Sequence, residues 1–129
     1  MTLAELNMHL ERVQKLEKAE ETLRGLWAAA VPGAQKITGM PHTGSVSDKV
    51  GEYAVEIAFM EDQVERMRSE VQASNERIMP WIENIEDPTT NVIFRLRFIR
   101  GLSWKTVAAI VGGNTEESAK KMCYSYLNK

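Results

Sequence analysis

Hydrophobic residues recur three or four positions apart over the first thirty residues of the chain. This spacing places their side chains on one face of an α-helix, and a near-regular alternation of the two steps is typical of a coiled-coil seam. The stripe consists of Leu3, Leu6, Leu10, Val13, Leu16, Ala19, Leu23, Leu26 and Ala30. The pattern therefore predicts a long first helix from Leu3 to Ala30.

A second stripe follows a segment that is rich in glycine and proline. Residues 31 to 46 contain Pro32, Gly33, Gly39, Pro41 and Gly44, so we expect a flexible connector there. Ser47 is a candidate N-cap, and Asp48 would complement the positive end of a helix that starts at this point. The stripe of this second helix runs through Val50, Tyr53, Ile57, Met60, Val64, Met67, Val71, Ser74 and Ile78, with a β-branched residue at every a position.

The flanking charges favour one way of pairing the two predicted helices. A parallel pair of second helices would set Glu56 opposite Glu61 of the other copy without a compensating cation. The two helices have similar lengths, so we expect helix 1 to fold back on helix 2 as an antiparallel coiled-coil hairpin over residues 1 to 79. Association of two hairpins into a homo-oligomer stays open.

The remaining residues predict a bundle of shorter helices. Pro80 should kink or end the second helix, and Asp87 followed by Pro88 predicts the start of a third helix that continues to about Arg100. This helix is apolar nearly all round and should be buried, with Arg95, Arg97 and Arg100 pointing outward. Gly101 should end it.

Two further helices are predicted after that glycine. Ser103 should cap a short helix whose buried face is Trp104, Val107, Ala108 and Val111, ended by residues 112 to 114. Asn114 and Glu117 should form a near-capping box for the last helix. The side chains expected to point inward on that helix are Ala119, Met122, Cys123 and Tyr126.

Composition agrees with an all-α fold. The chain has 129 residues, of which 43% are hydrophobic and only 7% aromatic, which favours helices over a sandwich and excludes a large catalytic α/β core. One cysteine permits no internal disulfide and indicates a reducing compartment such as the cytoplasm. No stretch of 18 consecutive apolar residues exists, so we expect neither a signal peptide nor a membrane span.

Charge divides the chain into two parts. Residues 1 to 87 carry 9 Lys and Arg against 16 Asp and Glu, a net charge of −7, and residues 88 to 129 carry 7 against 2, a net charge of +5. A helix, a glycine-containing turn and a second helix with a polar outer face form the helix-turn-helix arrangement, here over residues 103 to 127. The basic balance of this part favours a polyanionic partner.

The run VIFRLRFIRGLSWKTVAAIVGGNTEESAKKMCYSYL resembles region 4 of bacterial primary sigma factors. Together with Ile82, Ile85 and Asp87 it is similar to the sigma-region-4-like proteins of phages and prophages of low-GC Gram-positive bacteria. The resemblance covers residues 82 to 127. It implies a helix-turn-helix domain over residues 80 to 129 and a sequence-specific DNA-binding transcriptional regulator of phage or prophage origin, located in the cytoplasm of the bacterial host.

The resemblance also implies which residues face double-stranded DNA. The reading helix becomes residues 115 to 127, with DNA-facing positions at Thr115, Glu116, Glu117, Lys120, Lys121 and Tyr124. Phosphate contacts fall to Arg95, Arg97, Arg100 and Lys105, and to Lys120 and Lys121 of the last helix, unless these cations only form a solvated basic face. The two acids depart from the basic residues usual at this point. Either one of them accepts a hydrogen bond from a cytosine amino group, or both complement the helix N-terminus.

Two other functions stay open at this point. The helix-turn-helix fold could contact RNA polymerase or a sigma factor without holding DNA, or it could belong to a small terminase subunit on an oligomeric coiled coil. No catalytic constellation is present, Gly112-Gly113 lacks the lysine of a phosphate-binding loop, and His9 and His42 lack metal-ligand spacing. We therefore expect no enzyme activity, cofactor or metal, and both histidines on the surface or in loops.

Overall fold

The structure, a computed structural model, describes residues 1–31, 43–113 and 115–128, and of residues 43–49 the backbone only. Within these residues the fold is all-α, as predicted, and contains no strand. The helices are α1 (Leu3–Ala30), α2 (Thr43–Glu83), α3 (Pro88–Phe94), α4 (Trp104–Val111) and α5 (Glu116–Leu127), and a π-helical turn (Arg95–Ile99) follows α3. None of these helices combines the length and apolar content needed to cross a membrane.

A reciprocal cap opens α1. The backbone amide of Thr2 donates to Oε2 of Glu5 at 2.9 Å, and the amide of Glu5 donates to Oγ1 of Thr2 at 3.2 Å. This capping box satisfies two of the amides that a helix start leaves without partners. The bond from the Thr2 amide lowers the pKa of the Glu5 carboxyl. The bounds of α1 agree with the prediction.

The second helix begins earlier than predicted. α2 starts at Thr43, so Ser47 lies inside the helix and its assignment as the N-cap is wrong. A helix gains one hydrogen bond for each residue it adds once nucleated, and this gain offsets the cost of about 1 kcal/mol for Gly44 within the helix. Residues 43–46 of the predicted connector are therefore helical, and residues 32–42 lie outside the described part of the chain.

Pro80 neither ends α2 nor coincides with a domain boundary. The helix continues to Glu83 although an internal proline costs about 3 kcal/mol. The turn beyond it is held by packing, because Ile82 is fully buried and the Trp81 ring lies 5.3 Å from that of Phe94. The side-chain amide of Asn91 donates to the carbonyls of Ile82 and Ile85, at 2.9 and 3.1 Å.

The chain forms two compact units, which differ from the predicted division between residues 79 and 80. The first unit contains Met1–Lys15 and Ser69–Lys129, and the second unit contains Leu16–Arg68. The difference has a simple cause: Leu6 and Leu10 are buried in the same apolar cluster as Phe98 and Trp104. The first half of the α1 stripe thus belongs to the same hydrophobic core as the C-terminal helices.

Within the first unit, α1 and α2 are antiparallel, as predicted. Three contacts join the start of α1 to the later part of α2. Arg77 Nη2 lies 3.7 Å from Glu5 Oε1, Arg12 Nη1 donates to Ser74 Oγ at 3.4 Å, and His9 Nδ1 lies 2.7 Å from Ser74 Oγ. The expectation of a surface His9 is wrong, since this side chain is fully buried. His9 is buried because Ser74, a polar residue in the seam of α2, gives it a hydrogen-bond partner. His42 lies outside the described residues.

The second unit contains the other halves of the two long helices. Ala19 and Ala30 of α1 and Ile57 and Val64 of α2 are buried there, as expected for the predicted seam. Arg68 Nη2 donates to Glu20 Oε2 at 3.0 Å across the pair. An ion pair of this exposure contributes at most about 1 kcal/mol, so the apolar seam is the main stabilising feature of this unit.

The third helix begins as predicted but ends differently. Oδ2 of Asp87 accepts from the amide of Thr90 at 3.0 Å and from its hydroxyl at 2.7 Å, and Pro88 is the first helical residue. The last turn is π-helical, with the Arg100 amide donating to the Arg95 carbonyl at 3.0 Å. Gly101, at a φ of +71°, ends the segment as predicted.

Candidate nucleic-acid interface

α4 and α5 are joined by a turn whose local chemistry fixes both helix ends. Oγ of Ser103 accepts from the amide of Thr106 at 3.2 Å, which confirms the predicted cap of α4. Gly112 and Gly113 have φ of 72° and 66°, a left-handed backbone that glycine adopts without strain. The N-cap of α5 is Thr115, whose hydroxyl oxygen accepts from the Ser118 amide at 3.1 Å. This residue replaces the predicted cap Asn114, which lies outside the described residues.

The inner face of α5 packs on the rest of the first unit. Ala119 and Cys123 are fully buried, and Tyr126 contacts the Trp81 and Phe94 rings, each at 5.7 Å between centroids. Ala108 of α4 is also buried. Small side chains at positions 108 and 119 let two helices cross closely. This packing orients the opposite face of α5 outward.

The outer face of α5 carries the predicted DNA-facing residues. Glu117, Lys121 and Tyr124 are exposed, and with Ser125 they line a shallow groove of about 440 Å³. Thr115 is exposed at the start of this face, with its hydroxyl oxygen engaged in the cap. The groove therefore presents a cation, an anion and an aromatic hydroxyl within one helical face.

Lys120 is only half exposed and is engaged by the two acids that precede it. Its Nζ lies 3.8 Å from a carboxylate oxygen of Glu116 and 3.8 Å from one of Glu117. The spacings of four and three residues bring these side chains together on a helix. Lys120 thus offsets part of the negative charge in the first turn of α5. The expectation that Lys120 is free for a phosphate must be corrected accordingly.

Arg97 is the clearest departure from the predicted phosphate contacts. It is half-buried, its Nη1 donates to the Leu102 carbonyl at 2.9 Å, and its guanidinium carbon lies 4.9 Å from the centroid of the Trp104 ring. Burial lowers the pKa of this guanidinium. The prediction that Arg97 points outward is wrong, because the π-turn shifts the direction of the helix side chains and Trp104 offers a cation–π partner.

Trp104 links Arg97 to the outer face of α5. Its ring meets the ring of Tyr124 edge to face, with 6.2 Å between centroids. Trp104 therefore packs between Arg97 and Tyr124, and this contact holds the phenol of Tyr124 at the surface. Sequence reasoning placed Trp104 and Tyr124 on the correct faces, but no local signal pairs Arg97 with Trp104.

Four exposed cations remain near the helix-turn-helix. Arg100 and Lys105 flank the loop before α4, Lys121 lies on the outer face of α5, and Arg95 is exposed at the start of the π-turn. Nε of Arg95 donates to Oδ1 of Asn91 at 2.6 Å. Among the described residues, no carboxylate forms an ion pair with Arg100, Lys105 or Lys121. These three cations are available to an anionic partner.

A second cavity of the first unit has the opposite character. It encloses about 620 Å³ between the loop before α3 and α5, and Glu86, Asp87, Thr90 and Tyr126 are among its lining residues. Its described lining residues include two carboxylates and no cation, which disfavours a phosphate there. Across the described residues, no three His, Cys, Asp or Glu side chains lie together in a way that could hold a metal ion.

Comparison with known proteins adds no relative. No family model, no curated protein and no solved structure matches this chain. The geometry of the first unit is therefore the basis for the functional argument.

Proposed function

We propose that this protein binds double-stranded DNA through α4 and α5 and acts as a transcriptional regulator. The observation that carries the proposal is the uncovered outer face of α5, where Lys121 and Tyr124 lie exposed, together with the exposed cations Arg100, before the short loop, and Lys105, in α4. A helix with one polar, unpacked face behind a tight turn is the element that enters a major groove in helix-turn-helix proteins. The resemblance of this segment to sigma region 4 supports the regulatory role.

The residues divide into phosphate contacts and base contacts. Arg95, Arg100, Lys105 and Lys121 are assigned to phosphates, because they are exposed cations and charge neutralisation dominates affinity for DNA. Glu117 and Tyr124 are assigned to base edges, since both project from the outer face of α5. A carboxylate accepts from the amino group of cytosine. Arg97 acts indirectly, because it packs on Trp104, which contacts Tyr124.

Lys120 has a different role in this proposal from Lys121. Its ion pairs with Glu116 and Glu117 reduce the repulsion that two acids would exert on the phosphate backbone. Lys120→Ala should therefore weaken DNA binding, and Glu116→Gln in the same protein should restore part of it. Lys121→Ala removes a direct contact, so Glu116→Gln should compensate much less.

The experiment is selection of bound fragments from a genomic library, followed by affinity measurements over a range of salt concentration. Four phosphate contacts give a slope of log K against log salt of about −3.6 for each bound chain, and Lys121→Ala should reduce its magnitude by about 1. Lys18→Ala, an exposed cation in the second unit, is the control and should change nothing. Binding no tighter than about 0.1 mM for every duplex, with no effect of Lys121→Ala, would refute the proposal.

One observation favours a second candidate, a module that contacts RNA polymerase or a sigma factor. Val92 and Ile110 are 43% and 57% exposed on α3 and α4, and the first turn of α5 has no net positive charge. A protein partner would bury such side chains at an interface. In that case Ile110→Asp would abolish capture of the polymerase or sigma factor, while Lys121→Ala would have little effect on it.

A further inference from the structure

A second apolar face lies on α2, separate from the seam that packs on α1. Val55 and Phe59 are 78% and 60% exposed. A helix advances about 100° per residue, so the midpoint between these two positions is about 180° from the buried Ile57. Ala58 is also exposed on this side, and a Cβ atom at Gly51 would meet no other atom within 4 Å. This outer face of α2, defined by residues 51, 55, 58 and 59, is open to solvent.

Exposure of this kind is unusual for two large apolar side chains one turn apart. A single exposed apolar residue needs no explanation, whereas a contiguous exposed apolar patch is a candidate interaction surface. Val55 and Phe59 have no role in the intramolecular seam, because Ile57 and Val64 are the residues buried there. The apolar pair therefore suits a partner outside the chain.

The charges around Phe59 show which partner fits. Glu52 lies seven residues before Phe59 and Arg66 seven residues after it, on the same side of the helix, and both are exposed. A two-fold axis through Phe59 that relates two antiparallel α2 helices sets Glu52 of each copy opposite Arg66 of the other. The two Phe59 rings then meet on the axis. Self-complementary placement of this kind is what an isologous interface requires.

Other arrangements and partners fit less well. A parallel pair would set Glu52 against Glu52 and Arg66 against Arg66, which is repulsive. An anionic membrane or a nucleic acid would meet Glu52, Glu56 and Asp62 around the apolar pair, and like charges would repel it. Among the residues whose side chains the structure describes, Arg66 is the cation on this face, and its Nη2 lies 3.3 Å from Asp62 Oδ2.

We propose that this protein forms a homodimer in which the outer faces of α2 pack antiparallel, centred on Phe59 and closed at both ends by Glu52 and Arg66 of opposite copies. The contact spans about 21 Å along the helix from Glu52 to Arg66. This inference does not depend on DNA binding. Both the dimer and its register are testable in the full chain.

The first test is the oligomeric state of the full chain by sedimentation. Phe59→Glu should raise the dimer dissociation constant at least about tenfold, because two like charges would meet on the axis. Ile110→Glu, which changes an apolar residue of similar exposure on α4, is the matched control and should leave the constant unchanged. A wild-type chain that stays monomeric at the highest soluble concentration would overturn the proposal, as would equal effects of the two variants.

The second test is the register. Glu52→Arg and Arg66→Glu should each weaken the dimer, and the double charge exchange should restore it to within a few-fold of the parent, since each new pair again joins opposite charges. Phe59→Cys should form a disulfide between copies under mild oxidation, because residues on the axis face each other. Cys123 is buried and does not compete. This arrangement is contradicted if the double charge exchange does not restore the dimer. It is also contradicted if Glu52→Cys forms the disulfide between copies and Phe59→Cys does not.

Discussion

Gly101 lies directly against Val13: a Cβ atom at position 101 would stand 2.9 Å from Cγ1 of that valine. The glycine follows the π-turn, and the valine belongs to α1, so the contact joins opposite ends of the sequence within the first unit. Backbone freedom and lack of a side chain are therefore both required at this position.

Gly101→Ala should destabilise the protein more than the same change at Gly113. Both glycines have positive φ, +71° and +66°, but nothing lies within 4 Å of a Cβ at Gly113. We expect Gly113→Ala to cost about 1 to 2 kcal/mol from backbone strain alone, and Gly101→Ala about 1 to 3 kcal/mol more from overpacking. Urea unfolding measures both. If Val13→Ala in the Gly101→Ala protein recovers none of the difference, the contact with Val13 is not its cause.

Trp104→Ala should be strongly destabilising. The side chain is only 8% exposed and joins Arg97 to Tyr124, so its removal should cost about 3 to 5 kcal/mol. Trp27→Ala removes an indole that is 43% exposed in the second unit, and we expect about 1 kcal/mol or less. Thermal unfolding distinguishes the two variants, and melting temperatures lowered equally would show that the burial of Trp104 contributes little.

Stability should fall as the pH drops below about 6.5, the ordinary value for histidine. Burial, with Arg12 nearby, lowers the pKa of His9 in the folded protein. The unfolded chain then binds a proton that the folded chain excludes, so this contribution to stability is complete above that pH and is lost below it. Other groups that face His9 are Ser74, Asn75 and the carbonyl of Phe98.

The variant His9→Gln tests this dependence, since an amide does not titrate in this range. Urea midpoints measured between pH 8 and pH 5 should fall less steeply for His9→Gln than for the parent, while Ser74→Ala, which keeps the imidazole, should retain a clear slope. A parent and a His9→Gln protein with the same slope would assign the pH dependence to other groups.

Cys123 should be inert in the folded protein. Burial raises the pKa of its thiol to about 12, so almost no thiolate exists at pH 8, and the side chain is fully covered. Alkylation should be about a thousandfold slower than in urea and should follow opening of the first unit. Native protein that reacts within a few-fold of the unfolded rate would show that the packing of α5 on the first unit does not cover this sulfur.

The elements fixed by local chemistry were predictable from sequence. Asp87 and Ser103 mark helix starts through bonds to residues three positions on, and Gly101 marks a helix end through its positive φ. The seam of the long helices follows from periodicity. The start of α2 was not predictable, because several residues between 43 and 47 are acceptable at a helix start and the hydrogen bonds gained by extension favour the longer helix.

The candidate interface was only partly predictable. The spacing of Glu116, Glu117 and Lys120 already contained the signal for their ion pairs. The partly buried position of Arg97 could not be predicted, because a π-turn breaks the regular rotation per residue and its partner Trp104 lies on another helix. Burial of His9 could have been suspected from Ser74, a polar residue within an otherwise apolar stripe.

The joining of sequence-distant segments in the first unit has a consequence for biosynthesis. Leu6 and Leu10 share their cluster with Phe98 and Trp104, so about ninety residues must be translated before these partners exist, which takes roughly 5 to 18 s on the ribosome. During that interval Leu6 and Leu10 are only partly covered, because Ile78 and Ile82 of the same cluster are translated before Phe98 and Trp104. A chain that stops before Phe98 would therefore lack part of the cluster that buries Leu6 and Leu10.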